Sequence, residues 1–121
     1  MKKILIVEDE ANLVRLLKTR LEVFGYQVLS AEDGAKAFEK AKAEKPDLIL
    51  LDVLIPIFNG YEVCKMLKEE ASTKGIPVIM VTAKTTMGDV DEGFRAGADD
   101  YVTKPYEWNQ LQAKIKKLIK G

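Results

Sequence analysis

Short apolar segments alternate with longer amphipathic segments along the whole chain. The apolar segments are rich in β-branched residues or leucine, which is typical of strands, and they lie at Lys3–Val7, Gln27–Ala31, Leu48–Leu51, Val78–Val81 and Tyr101–Thr103. Helical spacing of apolar residues is clearest after the first and the last of them, at Val14, Leu17, Leu21 and Phe24 and at Trp108, Leu111, Ile115 and Leu118. Weaker helical patterns cover Gly34–Ala43, Tyr61–Glu70 and Met87–Ala96. The alternation predicts five strands that each precede a helix.

Two of the predicted strands, Ile4–Val7 and Leu48–Leu51, contain no polar residue. Strands of this kind are covered on both faces, as in parallel sheets flanked by helices. Repeated strand–helix units with short connections predict an α/β fold, a doubly wound parallel sheet with right-handed crossovers. We expect a single domain over residues 1–121.

Composition removes several classes of chemistry. The chain has 19 basic and 19 acidic side chains, so its formal net charge is zero and no overall field favours nucleic acid or a membrane surface. It has no histidine, which excludes a histidine base or metal ligand. Its single cysteine, Cys64, cannot form an internal disulfide, and this suits a reducing compartment. Carboxylates, hydroxyls and amines remain.

The amino terminus superficially resembles a signal peptide, with two lysines before an apolar run. Glu8, Asp9 and Glu10 end that run after four residues, which is too short for a signal sequence. No stretch approaches the roughly 18 apolar residues of a membrane span. We therefore expect a soluble, cytoplasmic protein.

Polar residues lie at the carboxyl ends of the predicted strands, where open α/β sheets bind their ligands. These residues are Glu8 and Asp9, Ser30 and Glu32, Asp52, Thr82, and Lys104. Four of the five strand ends thus carry groups suited to binding a cation and an anion together.

The carboxylates indicate a metal site. Asp9 or Glu10 alone is most simply a helix cap, but Asp52 directly ends an apolar strand. If the first and third strands are neighbours, Asp9 and Asp52 come within reach of one ion. Two carboxylates ~5 Å apart repel by ~3 kcal/mol at an effective dielectric of 20. Gathering them with Glu8 therefore favours a hard cation, Mg²⁺ or the similar Mn²⁺, among all-oxygen ligands.

Lys104 and Thr82 extend this interpretation. Each has an ordinary explanation, as a solvated lysine and as a cap, and Pro105 could simply begin the last helix. Both would nevertheless project toward the same acidic cleft. A cation and a hydroxyl donor beside Mg²⁺ are what the oxygens of a transferring phosphoryl group require.

At this point the chain resembles the receiver domain of two-component response regulators, from Lys3 to Ile119. Six segments in order carry the resemblance: Val7–Glu10; Pro46–Asp52; Pro56 with Asn59–Gly60; Pro77–Ile79 with Thr82–Ala83; Gly97–Tyr101; and Lys104–Tyr106. The resemblance implies a flavodoxin-like (βα)5 fold with strand order 2-1-3-4-5.

The resemblance also implies roles for the polar residues. Asp52 is the expected phosphoacceptor, charged from the phosphohistidine of a sensor histidine kinase or phosphotransfer protein. Mg²⁺ is expected on the side chains of Asp9 and Asp52 and the backbone carbonyl of Leu54. Glu8, where the family more often has aspartate, would reach the metal through water. The domain is then no enzyme, although it assists its own phosphorylation and dephosphorylation.

The phosphoryl oxygens are expected to meet Lys104, the Thr82 hydroxyl and the backbone N–H of Ala83. The Lys104–Pro105 peptide is expected to be cis. Leu54 and Lys84 stand at positions that tune the lifetime of the phosphoryl group in the family.

A conformational switch follows from the same resemblance. Thr82 would move inward toward the phosphoryl group, and Tyr101 would rotate into the vacated space. The output surface for a downstream protein would be the fourth helix, fifth strand and fifth helix. Leu16, Pro105 and Tyr106 match the surface that docks the kinase.

Charges on the expected output surface depart from the subfamily that dimerises through it. Glu92 replaces a basic residue opposite Gln110, and Arg95 replaces an acid and would meet Lys116. Asp100 could still pair with Lys114. We expect a monomer, with a phosphorylation-dependent dimer as the alternative, and no direct contact with nucleic acid or membrane.

Other interpretations remain open. The acidic first loop argues against a flavodoxin-like electron carrier, and Leu54 stands where an aspartyl phosphatase has its second acid. A phosphorylation-independent interaction domain is the main alternative. No linker begins before Gly121, which favours a stand-alone regulator. Cys64 is interpreted as a small helix residue, and a solvated helix face is expected for Lys114, Lys116, Lys117 and Lys120.

Overall fold

The five predicted strand–helix units are present in the computed structural model, which describes residues 1–119. The strands are β1 (Lys3–Val7), β2 (Gln27–Ala31), β3 (Leu48–Leu51), β4 (Val78–Thr82) and β5 (Asp100–Thr103). The helices are α1 (Ala11–Val23), α2 (Gly34–Glu44), α3 (Gly60–Glu69), α4 (Met87–Arg95) and α5 (Trp108–Leu118). Lys120 lies outside the described residues.

All strand pairs are parallel, and the order is β2-β1-β3-β4-β5. Val7 aligns with Ala31 on one side and with Leu51 on the other. The ladder continues past the strand ends, because Glu8 donates its N–H to Ala31 and Asp52 donates its N–H to Val7. The residues that follow β1 and β3 therefore share one edge of the sheet, and the predicted fold and strand order are confirmed.

Two apolar layers cover the two faces of the sheet. On β1, Ile4 and Ile6 face the layer that contains α1 and α5, whereas Leu5 and Val7 face the layer that contains α2 and α3. Every residue of β3 is buried. This two-sided burial explains the absence of polar alternation that the sequence showed in both strands.

Local capping sets the ends of the helices near the site. Asn59 forms a capping box with Glu62, so α3 begins one residue earlier than the apolar pattern predicts. Thr86 and Asp89 form the same motif at the start of α4. The side chain of Glu10 accepts the Asn12 N–H at 3.0 Å and caps α1.

No helix within residues 1–119 is both long and apolar enough to cross a bilayer. Cys64, a residue of α3, has a free thiol and is fully buried.

Candidate functional site

Three residues that directly follow strands form a buried ionic group, here called the charged cluster: Glu8, Asp52 and Lys104. The Lys104 Nζ lies 2.6 Å from Glu8 Oε1 and 2.9 Å from Asp52 Oδ2. The backbone of Lys104 is fixed by its N–H, which donates to the Thr82 carbonyl at 2.8 Å. Because β5 is two strands away from β3, the lysine has to extend across the end of β4 to reach Asp52. Its long side chain makes this possible.

The Asp52 carboxylate is held on both oxygens. Its Oδ1 accepts the Leu54 N–H at 3.0 Å, and its Oδ2 accepts from Lys104. The side-chain hydroxyl of Thr82 also stabilises the charged carboxylate and lowers its pKa. That hydroxyl accepts the Lys84 N–H at 3.3 Å, so its own proton is available to Asp52. Asp52 is only 6% exposed, and donors in fixed positions surround its carboxylate.

Burial and charge act on the three groups in different ways. Desolvation alone would raise the pKa of Asp52, but hydrogen bonds from Lys104 and Leu54, together with the Thr82 hydroxyl, outweigh it and lower that pKa. Desolvation raises the pKa of Glu8, with Lys104 offsetting part of the effect. Burial alone would lower the pKa of Lys104, yet its two carboxylate partners raise it. Asp52 is therefore ionised and Lys104 protonated near neutral pH.

The remaining acids of the first loop lie differently. Asp9 is exposed, whereas Glu8 is buried, and Glu8 Oε2 accepts the Glu10 N–H at 3.2 Å. Within residues 1–119 no three acidic or cysteine side chains converge as a ready metal site. The sequence led us to expect three clustered carboxylates; two of them meet instead on the ammonium group of Lys104, which neutralises their repulsion.

A divalent cation nevertheless fits the donors that this edge offers. The carboxylates of Glu8, Asp9 and Asp52 and the carbonyl of Leu54 supply oxygen ligands only, which suits Mg²⁺.

A groove of about 520 Å³ opens beside the charged cluster. All three cluster residues line it, together with Leu13, Leu16, Leu17, Arg20, Pro105 and Tyr106. Leu16 is 55% exposed, so the groove that contains the Asp52 carboxylate also has an exposed apolar residue in its lining. The Lys104–Pro105 peptide is cis, as the sequence led us to expect.

Two tyrosines, Tyr61 of α3 and Tyr101 of β5, bring their hydroxyls together near the start of α4. They are here called the tyrosine cluster. The Tyr101 hydroxyl donates to the Lys84 carbonyl at 2.8 Å, and the Tyr61 hydroxyl donates to the Asp89 carbonyl at 3.0 Å. Their two oxygens lie 3.3 Å apart. Tyr101 is only 9% exposed, so its ring faces inward.

Sequence reasoning missed Tyr61. The Asn59–Gly60 pair marks the start of α3, but nothing in the pattern indicates that the next residue reaches α4. Only the hydrogen bond from the Tyr61 hydroxyl to the Asp89 carbonyl reveals this contact.

On the surface formed by α4, β5 and α5, Asp100 and Lys114 pair within one chain at 3.0 Å. Glu92, Arg95, Gln110 and Lys116 are exposed on the same elements.

A family model described as the response regulator receiver domain matches residues 4–116. The chain belongs to the response regulator receiver family. This finding confirms the resemblance drawn from the six sequence segments. Receiver domains of this family act in two-component signal transduction and generally serve as regulatory phosphoacceptors.

Among relatives, the alkaline phosphatase synthesis transcriptional regulatory protein PhoP of Bacillus subtilis (strain 168) is 45% identical over 119 residues. The match covers 98% of this chain and 49% of PhoP. The chain spans about half the length of the curated relatives it matches.

Solved structures give the same assignment. A response regulator from Chloroflexus aurantiacus J-10-fl is 34% identical with a TM-score of 0.91, over 97% of this chain and 96% of that one. The receiver domain of the sensor histidine kinase PA1611 from Pseudomonas aeruginosa PAO1 is 29% identical with a TM-score of 0.89, over 97% and 96% of the two chains. That structure has a magnesium ion coordinated in its active site cleft.

Proposed function

We propose that residues 1–121 form one receiver domain that accepts a phosphoryl group on Asp52 in a Mg²⁺-dependent reaction. The donor is the phosphohistidine of a sensor histidine kinase or of a phosphotransfer protein. The observation that carries the proposal is the placement of Asp52: a buried, ionised carboxylate with Lys104 at 2.9 Å and the Leu54 N–H at 3.0 Å. These 121 residues contain no histidine, so the phosphohistidine lies outside this domain.

In the transfer, an Asp52 oxygen forms a P–O bond while the P–N bond of the phosphohistidine breaks. The electron pair of that bond stays on the departing imidazole, which takes up a proton. Lys104, already beside Asp52, would pair with the phosphoryl oxygens. The Thr82 hydroxyl and the N–H of Ala83, which is exposed at the end of β4, would add two further donors.

Asp9 and Asp52, with the Leu54 carbonyl, would hold Mg²⁺ (or Mn²⁺), and Glu8 would hold it through water. When bound, the ion would neutralise part of the charge shared by the carboxylate and the phosphoryl oxygens. The magnesium ion in the similar PA1611 domain supports this assignment. The domain would be a phosphoacceptor that assists its own phosphorylation and dephosphorylation, not an enzyme acting on a separate substrate.

Output would pass through Thr82 and Tyr101 to the surface of α4, β5 and α5, where a downstream protein binds. The apolar border of Leu16, Pro105 and Tyr106 would dock the kinase. We propose that the domain works in the cytoplasm as a monomer and contacts neither nucleic acid nor membrane. Since relatives such as PhoP are transcriptional regulators twice as long, dimerisation on phosphorylation and DNA binding would belong to a full-length protein.

One observation favours a second function, a phosphorylation-independent interaction domain. The Tyr101 ring is buried, and its hydroxyl donates to the Lys84 carbonyl. A chain held in this arrangement whether or not Asp52 is phosphorylated would present its output surface constantly.

Titration with beryllium fluoride in saturating Mg²⁺ separates the two functions, because beryllium fluoride mimics a phosphoryl group on a carboxylate. We expect stoichiometric binding by the wild type and by Asp91→Asn, which changes an exposed acid of α4, and no binding by Asp52→Asn. Equal binding by Asp52→Asn would exclude Asp52 as the acceptor. Absence of binding by the wild type would favour the interaction domain.

A further inference from the structure

The tyrosine cluster joins three elements that the chain keeps apart. Tyr61 belongs to α3, Tyr101 belongs to β5, and their hydroxyls donate to carbonyls before and within the first turn of α4. A tyrosine hydroxyl has one proton, so the two donations to Lys84 and Asp89 use both protons. The 3.3 Å contact between the hydroxyls is therefore a packing contact that places one oxygen relative to the other.

Gly93 provides the space for the Tyr101 ring. A Cβ on Gly93 would lie 2.8 Å from both Cδ2 and Cε2 of Tyr101, closer than real Cβ contacts come. Gly93 is buried in the middle of α4, where alanine would be favoured by about 1 kcal/mol in helix propensity. The inward position of Tyr101 thus depends on a residue that weakens the helix against which the ring packs.

Tyr61 is also tied to the loop that begins at Asp52. The N–H of the preceding residue, Gly60, donates to the Val53 carbonyl at 2.9 Å. A Cβ on Gly60 would lie 2.5 Å from the Asp52 carbonyl oxygen, so this backbone packs directly against that of Asp52. A displacement at Asp52 would therefore reach the start of α3 and the Tyr61 side chain.

We propose that Tyr61 is a positioning residue for Tyr101: its hydroxyl anchors the first turn of α4, Gly93 leaves room for the Tyr101 ring, and α3 thereby forms a second connection between Asp52 and the output surface. The first connection is the Thr82–Lys84 segment. The part of this inference that concerns Asp52 rests on the proposed function, whereas the anchoring of α4 does not.

Amide hydrogen exchange on the phosphoryl-free protein tests the anchor. Tyr61→Phe keeps the ring and removes the donor to Asp89. We expect exchange in residues 84–91 to become about five-fold faster, the effect of losing one hydrogen bond on a local opening equilibrium. Tyr26→Phe is the control, because Tyr26 packs in the opposite apolar layer. Unchanged exchange in residues 84–91 would overturn the proposal.

Gly93→Ala provides a second test, which is needed if Tyr61→Phe loosens the whole domain. The substitution raises the helix propensity of α4 but places a Cβ in the space of the Tyr101 ring. In protein labelled with 3-fluorotyrosine, we expect the fluorine-19 NMR signal of Tyr101 to shift between H₂O and D₂O, as the signal of an exposed ring does. Retention of a buried signal would overturn the proposal.

Beryllium fluoride binding, measured on the same variants, separates this inference from the proposed function. We expect Tyr61→Phe and Gly93→Ala to bind it stoichiometrically while the Tyr101 signal responds less than in the wild type. An unaltered Tyr101 response would overturn the second connection and leave the phosphoacceptor intact. If the wild type does not bind beryllium fluoride, the assignment of Asp52 as phosphoacceptor is overturned. The exchange data then still test the anchoring of α4.

Discussion

The charged cluster and the tyrosine cluster are both buried and both bridge separate elements, but different forces hold them. In the charged cluster a lysine meets two carboxylates at 2.6 and 2.9 Å. In the tyrosine cluster neutral hydroxyls donate to backbone carbonyls at 2.8 and 3.0 Å. The first arrangement depends on protonation, and the second depends on packing.

This difference corresponds to two tasks. A group that accepts a phosphoryl needs a full negative charge with a cation close by, and its surroundings respond strongly when charge is added. A group that relays the change needs a defined position, which close packing around single hydroxyl donors provides. Gly60 and Thr82 connect the two clusters, so variants at these positions and within either cluster test the separation.

The largest effect is expected from Gly60→Ala, which disturbs both clusters. The new Cβ would meet backbone atoms of Asp52 and Val53 at 2.5 and 2.7 Å, and backbone cannot yield as a flexible side chain does. We expect the free energy of unfolding in urea to fall by about 3 kcal/mol. Gly75→Ala is the matched control, because nothing lies within 4 Å of its Cβ. A similar loss in both variants would argue against the close approach at Gly60.

Alkaline pH should weaken the layer that contains the tyrosine cluster. Burial raises the pKa of the Cys64 thiol from 9.0 to about 11. Between these values the unfolded chain loses the proton and the folded chain keeps it, so stability falls as pH rises, by roughly 2 to 3 kcal/mol for this group. Urea unfolding at pH 8 to 11 should show the fall in the wild type and a smaller one in Cys64→Ala. If the free energy of unfolding falls equally with pH in both proteins, the thiol is not the group that titrates.

Lys104→Met should act on the charged cluster alone. Removing the ammonium leaves two buried carboxylates facing each other, and we expect a loss of about 2 kcal/mol at pH 7, less than for a fully buried pair because the site is partly solvated. The lowered pKa of Asp52 makes its contribution present above its unfolded pKa and lost as pH falls through the folded value. The difference from wild type should therefore shrink toward pH 3. Lys117→Met, on the exposed face of α5, should leave stability unchanged, and a constant difference across pH would contradict the ionic account.

The smallest effect is expected from Thr82→Ala, which removes the hydroxyl that stabilises the Asp52 carboxylate. We expect a loss of stability of about 1 kcal/mol, and the pKa of Asp52 should rise because that hydroxyl helps to lower it. Carbon-13 titration of the Asp52 carboxyl measures the shift. Thr82→Ser keeps the hydroxyl and should retain the wild-type pKa; a rise in both variants would point to the lost methyl group instead.

The fold could be predicted because its signals are local. Apolar strands and amphipathic helices alternate, and the element ends differ from the prediction by one residue, where caps such as Asn59 decide. The proximity of Asp52, Thr82 and Lys104 also followed, because parallel strand ends share one edge of the sheet.

Side-chain direction could not be predicted. Of the neighbouring residues Glu8 and Asp9, the first is buried and the second exposed, and only the structure shows that Glu8 turns inward to Lys104. The roles of Tyr61 and Gly93 likewise depend on tertiary contacts with Tyr101, which the periodicity of the sequence does not predict.

Chemical location of the phosphoryl group tests the central claim most directly. The protein would be incubated with Mg²⁺ and a small phosphodonor, and the product reduced with borohydride, which converts an aspartyl phosphate to homoserine. Peptide mass spectrometry then identifies the modified position. We expect homoserine at position 52 in the wild type and none in Asp52→Asn. Homoserine at the position of another aspartate, or aspartate still present at position 52 after phosphorylation is complete, would contradict the account.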